Sequence, residues 1–399
     1  MFTLPLSRLA TLSLVLLSLI VLGGTKLPGT GAQAIKGDLT VHEWGTFTSV
    51  TSRDGNVMEW RPLSFESDLP SFVYSIDKGA TWRGEGGGLR YPSKSASFVR
   101  VRMETPVLYF YAKSAGDVSV KVDFPGGKIT EWYPQASVAG RSIDWGQLRV
   151  TPGAQVNLLT DGRENHYYPA RETDAATLEV RSGQQTEHEK FLFYRGVGNF
   201  GLPLSARLQD DKVVITNADG VDVGKVIIFE NRGGKVGFTV RDASQNDAAI
   251  DRPTLNINVA PPRPEMKALL VAHGLYEREA EAMLKTWRDS WFEEGLRVFY
   301  IVPRKFTDAI LPITIEPKPA ELVRVLVGRT ELITPEIERN VIEQVVKLDD
   351  PSESVRQAAL KEINKYGRFT EPILKQTLQH ATDRKLQVRI LQLIDEMRQ

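Results

Sequence analysis

The sequence predicts a multidomain α+β chain: an antiparallel, β-sandwich-like body, a helical insertion, and a tail of paired helices. Three observations predict it. Short segments of period-two alternation run from Leu39 to about Val259, a proline-rich break follows at Pro261-Pro262-Arg263-Pro264, and the chain from Thr334 onward is helical in pattern. The expected divisions are 1–34, a leader; 35–260, the β-rich domain; 261–333, a helical segment with returning strands packed on the body; and 334–399, the helical tail.

The first segment reads as a secretory signal. Arg8 supplies the positive charge, Leu9 to Leu22 forms a leucine-rich run, and Ala32-Gln33-Ala34 gives a small-x-small cleavage pattern that places the mature start at Ile35. The run is shorter than the roughly 20 residues that span a bilayer, so cleavage is expected, leaving no stable membrane span. The predicted destination is the bacterial periplasm or the exterior.

Composition narrows the function classes. The 399 residues hold 50 Lys+Arg against 50 Asp+Glu, so no net field recruits nucleic acid. Cysteine is absent, which excludes disulfides, thiolate zinc sites, iron–sulfur clusters and a cysteine nucleophile. Export without cysteine fits a bacterial protein stabilised by burial alone.

Within the body, Phe98 to Arg102 alternates, and so does Val118 to Phe124. Pro125-Gly126-Gly127 and then Lys128 to Tyr133 predict a hairpin turning at Gly126-Gly127. Further strands are expected at Thr177 to Val180, Lys190 to Tyr194, Lys212 to Thr216, Lys225 to Glu230 and Val236 to Val240, with a turn at Arg232-Gly233-Gly234. Arg83 to Gly88 reads as a surface loop, since it lacks the strand and helix that frame a phosphate loop.

After the proline break, Met266 to His273 and Glu277 to Phe292 read as helices. Ala280, Leu284, Trp287 and Trp291 form one apolar stripe, which makes the two tryptophans core anchors. Arg297 to Val302 and Leu322 to Val327 read as strands. In the tail, Asp350 to Arg356 echoes Asp383 to Arg389, with the Asp and the Val-Arg pair at the same offsets. This resembles HEAT-type helical repeats. About two repeats fit where solenoids need about three, so the tail is expected to pack on the body or on a partner.

Several motifs match a known family. Val41-His42-Glu43-Trp44-Gly45-Thr46-Phe47-Thr48, Met103 to Tyr111, Glu131 to Pro134, His166 to Tyr168, Phe191 to Gly196 and Thr286 to Phe292 resemble a family of exported bacterial proteins of uncharacterised function. The likeness runs from Val41 to about Pro335. It carries no activity.

Candidate chemistry rests on a few residues. Four tryptophans follow an acid: Glu43-Trp44, Glu59-Trp60, Glu131-Trp132 and Asp144-Trp145. Neighbours in a strand point to opposite faces, so the expected arrangement is rings inward and acids in solvent. The functional alternative is a carbohydrate site. Glu104 and Glu131 are its best catalytic pair, because two carboxylates about 5–10 Å apart can cleave a glycosidic bond. Glu43, Trp44, His166, Tyr168 and Arg171 are the expected ligand-binding residues; Tyr167, Tyr168 and Arg171 could bind an anionic group. A divalent metal held by His42, Glu43, Glu104 and His166 is the one cofactor these residues could support. Glu187-His188-Glu189 reads as a solvated turn, and Gly140 to Asp144 lacks the second glycine of a nucleophile elbow. The functional expectation is an exported binding or scaffolding protein of the cell envelope, partnered by an envelope protein or a glycan. An extracytoplasmic hydrolase is the alternative.

Overall fold

The computed structural model describes Ile35 and residues 38–63, 69–76, 98–243 and 248–397. The leader at 1–34 and the glycine-rich stretch from Arg83 to Gly88 lie outside these residues.

In chain order the described strands begin with β1 (Thr40–Thr51), β2 (Tyr74–Ser75), β3 (Val101–Tyr111), β4 (Gly116–Asp123), β5 (Gly127–Tyr133), β6 (Ser137–Val138) and β7 (Ser142–Thr151). They continue with β8 (Thr177–Ser182), β9 (Gln185–Glu189), β10 (Leu192–Gly198), β11 (Leu204–Gln209), β12 (Lys212–Asn217), β13 (Lys225–Arg232), β14 (Lys235–Asp242) and β15 (Ala248–Asp251). Then come α1 (Arg263–Ala272), α2 (Glu277–Thr286), β16 (Gly295–Ile301), α3 (Arg304–Ile310), β17 (Ile313–Glu316) and β18 (Glu321–Leu332). The tail is α4 (Pro335–Lys347), α5 (Glu353–Asn364), α6 (Thr370–His380) and α7 (Arg384–Glu396). None of the described helices is long and apolar enough to cross a membrane.

The protein is mixed α/β with large antiparallel sheets. A nine-stranded sheet runs β14-β13-β16-β18-β1-β3-β10-β5-β2; a six-stranded sheet runs β17-β4-β7-β8-β9 with β6 on β7; a three-stranded sheet is β11-β12-β15. In the nine-stranded sheet β1 and β18 pair in parallel, from Thr40 against Glu321 to Thr51 against Leu332, and the other pairs are antiparallel. The family-like motif in β1 is therefore clamped beside the last strand of the body. Parallel pairs are stable where both faces are covered, and both are covered here.

Alternation along β1 feeds two cores. Val41 and Phe47 point into one shared with Val120 and Leu148 of the six-stranded sheet and Val213 and Ile215 of the three-stranded sheet. Trp44 points the other way, among Val107, Tyr109, Phe193 and Val327, beneath Met266, Met283 and Trp291 of the helical segment. A third core joins Val50 and Trp60 to Val345, Ile363, Phe369 and Leu393, which docks the tail on the body. Thr334 caps α4 and Asp383 caps α7, each side chain accepting from a backbone N–H of the first turn.

The two Gly-Gly turns behave differently. At Gly233-Gly234 both residues have positive φ, 60° and 76°, and Arg232 faces Lys235 across a two-residue hairpin. Gly126-Gly127 does not close the expected hairpin. β4 pairs with β7 and β17 while β5 pairs with β10 and β2, in different sheets. Phe124 is fully buried in the inter-sheet core, and its ring occupies the space where a side chain on Gly127 would go. Packing, not turn chemistry, decides the connection.

Other expectations need correction. α2 stops at Thr286, so Trp287 and Trp291 lie past its end, although both are buried and their rings stack 6.2 Å apart. The short helix α3 was not anticipated. Glu187-His188-Glu189 is no solvated turn: it lies in β9, and Glu189 is fully buried against Arg171. β16 and β18, both in stretches expected to be strands, lie in the interior of the main sheet.

Candidate functional site

The chemistry concentrates on the face of the nine-stranded sheet that meets the helices, in a band of buried charge between the aromatic core and the tail. Alternation places Thr46 and Thr48 of β1 on this face. Their register partners are Glu104 and Arg102 of β3 on one side and Val327 and Arg329 of β18 on the other. Arg297 of β16 faces Glu331 of β18 in the register, and both side chains belong to the same band.

Glu104 is the hub. One carboxylate oxygen accepts from the Thr48 hydroxyl at 2.8 Å, and the other accepts from Arg368 Nη1 at 2.7 Å, with Arg102 Nε 3.2 Å away. Burial opposes its ionisation, but Arg368, Arg102 and Arg329, with the Thr48 hydroxyl, outweigh burial and hold the carboxyl below the ordinary carboxylate range. Arg368 belongs to the turn Gly367–Phe369 that leads into α6, so the tail supplies a partner to the body. Next to it, Phe369 stacks on Trp60 at 5.5 Å, and the guanidiniums of Arg329 and Arg368 lie 5.3 and 5.0 Å from its ring centre.

Arg329 is fully buried and donates to Glu331 and, at 2.7 Å, to Glu293. Its Nη1 meets no acceptor, and neither do Arg368 Nε and Thr46 Oγ1. A buried donor left unsatisfied costs about 1–3 kcal/mol.

The band continues past β3. Thr105 follows Glu104 with φ of 49°, where β3 bulges against Gly45 of β1. A β-branched residue in that region is strained, and such strain gathers at functional positions. Arg195 of β10 reaches the Thr105 hydroxyl at 3.5 Å and faces Glu131 of β5 in the register. Glu131 also accepts from Thr130 and is 3% exposed. Thr105 and Glu131 thus border Arg195 from its two sides.

The remaining expected residues have separate surroundings. His42 Nδ1 meets Glu279 at 2.8 Å, and Tyr111 donates to the other Glu279 oxygen at 2.8 Å, which pins the first turn of α2 to the sheet. Glu43, one residue on, faces the opposite core; Tyr194 donates to it at 2.5 Å and Arg324 pairs with it. Trp44 is a fully buried core ring. Of the acid-tryptophan pairs, Glu59 and Asp144 follow the simple expectation and are exposed beside buried rings. Glu43 and Glu131 do not, because the main sheet is covered on both faces.

His166 borders an open cleft of about 650 Å3 with Leu69, Asp161, Arg163, Glu164, Asn165, Arg288 and Asp289. Its Nδ1 is 2.6 Å from the carbonyl of Thr286, so Nδ1 carries the hydrogen and Nε2 is left facing Asp289 at 3.9 Å. Tyr168 donates to Asp161 at 2.9 Å, and Arg171 holds Glu189 at 2.6 Å under the rings of Tyr167 and Tyr168. The anion that Arg171 binds is an internal one.

The expected metal ligands do not converge. His42 and Glu43 point to opposite faces, Glu104 is held by arginines, and His166 is tied to Thr286. Among the described residues no group of three or more His, Asp and Glu side chains is arranged to hold a metal.

A second surface lies on the tail. Val346 of α4 and Val388 and Leu391 of α7 are 62%, 47% and 48% exposed. Asp349 and Arg389 pair at 3.3 Å between these helices. A groove of about 400 Å3 runs past Asp349, Arg384, Lys385, Val388, Arg389 and Gln392.

The residues missed from sequence are mainly arginines: Arg102, Arg195, Arg297, Arg324, Arg329 and Arg368. A signal for some was there. Leu322-Val323-Arg324-Val325-Leu326-Val327-Gly328-Arg329 is an apolar strand interrupted by charge, and a strand buried on both faces must pair each such charge. No protein-family model matches this chain, and no curated protein matches it.

Proposed function

We propose that this chain is an exported binding or scaffolding protein of the bacterial cell envelope that contacts its partner through the tail. The observation that carries this is the exposure of Val346, Val388 and Leu391 on α4 and α7, with Val388 lining a groove edged by Arg384, Lys385 and Arg389. Apolar side chains rimmed by charge are the usual anatomy of a contact surface. We read the four helices as a short HEAT-like solenoid. Its inner side is spent on Val50 and Trp60, leaving an outer side to bind. The leader supports the export half of the reading.

The test combines fractionation with substitution. Tagged protein expressed in a Gram-negative host is expected in the envelope fraction, processed after Ala34. Val346→Glu combined with Leu391→Glu should release it from that fraction while leaving its melting temperature within a few degrees. Unchanged retention of the double variant sinks the tail reading, and an unprocessed cytosolic product sinks export.

A hydrolase is the second reading, because Glu104 and Glu131 are buried carboxylates on β3 and β5, the two strands either side of β10, beside a strained Thr105. Glu104 held ionised is suited to a nucleophile or base role, and Glu131 would then be the acid. Release of reducing sugar from envelope glycan by the purified protein, abolished in Glu104→Gln, would favour this reading.

A further inference from the structure

We propose that the outer face of α7 is a dimerisation surface whose partner is a second copy of this chain, docked with the two α7 helices antiparallel about a two-fold axis. This rests on the tail being a contact surface and names the partner for that surface.

Spacing is the first argument. α7 buries Ile390, Leu393 and Ile394 against the rest of the tail. Arg384, Val388, Leu391 and Asp395 lie on the opposite side, all exposed. They stand at i, i+4, i+7 and i+11, so they form one line along the helix. That spacing reads the same from either end. An antiparallel copy of the line meets it in register, with Val388 against Leu391 and Arg384 against Asp395, each contact made twice. Such self-complementarity is what a two-fold interface requires. The apolar contacts fall at the centre and the charged ones at the rim, as in most protein contacts. Val346 shares a face of α4 with Asp349, which pairs with Arg389 of α7 at 3.3 Å, so the apolar centre extends onto α4.

Charge is the second. α7 has no acid in its first turn and no base in its last. Arg384 and Lys385 stand at its N-terminal end instead, and Asp395 and Glu396 at its C-terminal end. The helix dipole is positive at the N-terminus and negative at the C-terminus, so each charge sits at the end of its own helix that disfavours it. Among the described residues neither Arg384 nor Lys385 has an ion pair, whereas Arg389 is held within the tail by Asp349 and Glu396. In the antiparallel pair Arg384 comes over the C-terminal end of the other α7, and Asp395 over its N-terminal end. Both mismatches are answered together, and the two dipoles oppose. A partner of one charge sign could match only one end of the line; a copy of the line matches both.

Size sets the strength. One helix face and part of a second bury less than the roughly 1,600 Å2 of a standard interface, so association in the micromolar range is expected.

The experiment is sedimentation equilibrium of the purified mature protein between about 1 and about 200 µM, a range chosen to bracket micromolar association. Wild type should pass from monomer to dimer. Arg384→Glu sets acid against acid at both ends of the dimer, and Asp395→Arg sets base against base, so each variant alone should dimerise about tenfold more weakly. An equimolar mixture of the two variants restores opposite charges at both ends and should associate as wild type does. Each substitution suits the dipole of its own helix, so each variant should melt no lower than wild type at about 1 µM, where monomers prevail. A monomeric wild type throughout overturns the proposal; if Val346→Glu with Leu391→Glu still releases the protein from the envelope, the tail reading survives with a different partner. A dimer that both variants leave intact, or that mixing them does not restore, uses another surface or orientation and also overturns it.

Discussion

Arg368 Nη1, on the turn before α6, donates to Glu104 on β3 at 2.7 Å, joining positions 264 residues apart in the sequence. Strand β3 belongs to the body, and the turn belongs to the tail. The bond ties together two segments that the sequence reading divides.

Removing one partner of a buried ion pair is costly because the other charge stays behind. Arg368→Ala should therefore destabilise the protein by about 3 kcal/mol, read from urea melts. Phe369→Ala, which empties the ring position on Trp60, should cost about 3–5 kcal/mol. The two residues share one turn, so the double variant should lose less than the sum. Strict additivity would show that the turn is not a unit.

The acid limb of stability should depend on Glu104. Its folded-state pKa is depressed by Arg368, Arg102 and Arg329 against the opposing effect of burial. The unfolded chain takes up its proton at about pH 4.3, and the folded protein only at lower pH. The stabilisation is complete above the unfolded value and is lost as pH falls through the folded one. Glu293 is shifted the same way: burial opposes, and Arg329, Arg368 and Arg297 prevail. Wild type should lose stability steeply below about pH 4, and Glu104→Gln should show a shallower slope there, whatever its absolute stability. Equal slopes in the two proteins would contradict this assignment.

Glu43, Arg324 and Tyr194 form a second buried network on the opposite face of β1. Arg324→Met alone should cost about 3–5 kcal/mol, since it strands a carboxylate in the core. Adding Glu43→Met should recover part of that loss, because an apolar pair needs no desolvation. Chemical denaturation of the three proteins measures it. A double variant less stable than Arg324→Met would show that the pair does more than neutralise itself.

Gly328 pairs with Tyr300 across β18 and β16, and the tyrosine ring lies over it. A methyl group at Gly328 would be 2.2 Å from the ring carbons. Gly328→Ala should therefore cost about 1–3 kcal/mol through overpacking. Tyr300→Leu in the same chain should relieve it, with the melting temperature as the readout.

Much of the fold was legible because it rests on local rules. Period-two alternation located most strands, Gly233-Gly234 announced a true hairpin, and Thr334 marked the start of the tail. The candidate site was legible only in fragments. Glu104 and Glu131 stood out beside aromatic strand residues, but their arginines come from β3, β10, β18 and the tail turn. No spacing rule links Arg102, Arg195, Arg329 and Arg368. Pairing of charge depends on which strands become neighbours, and β1 against β18 is a pairing between the two ends of the body.

The sequence alone determined the alternation of strands, the break at Pro261 to Pro264, the helical tail and the charge balance, because each depends on neighbours a few residues apart. The tertiary structure decided the rest: that Gly126-Gly127 crosses between sheets, that Trp44 and Glu43 are both enclosed, and that Arg368 meets Glu104. These outcomes depend on burial of both faces of one sheet. Once water is excluded from both sides, every charge on a central strand must find its partner from whatever distant segment the fold brings near.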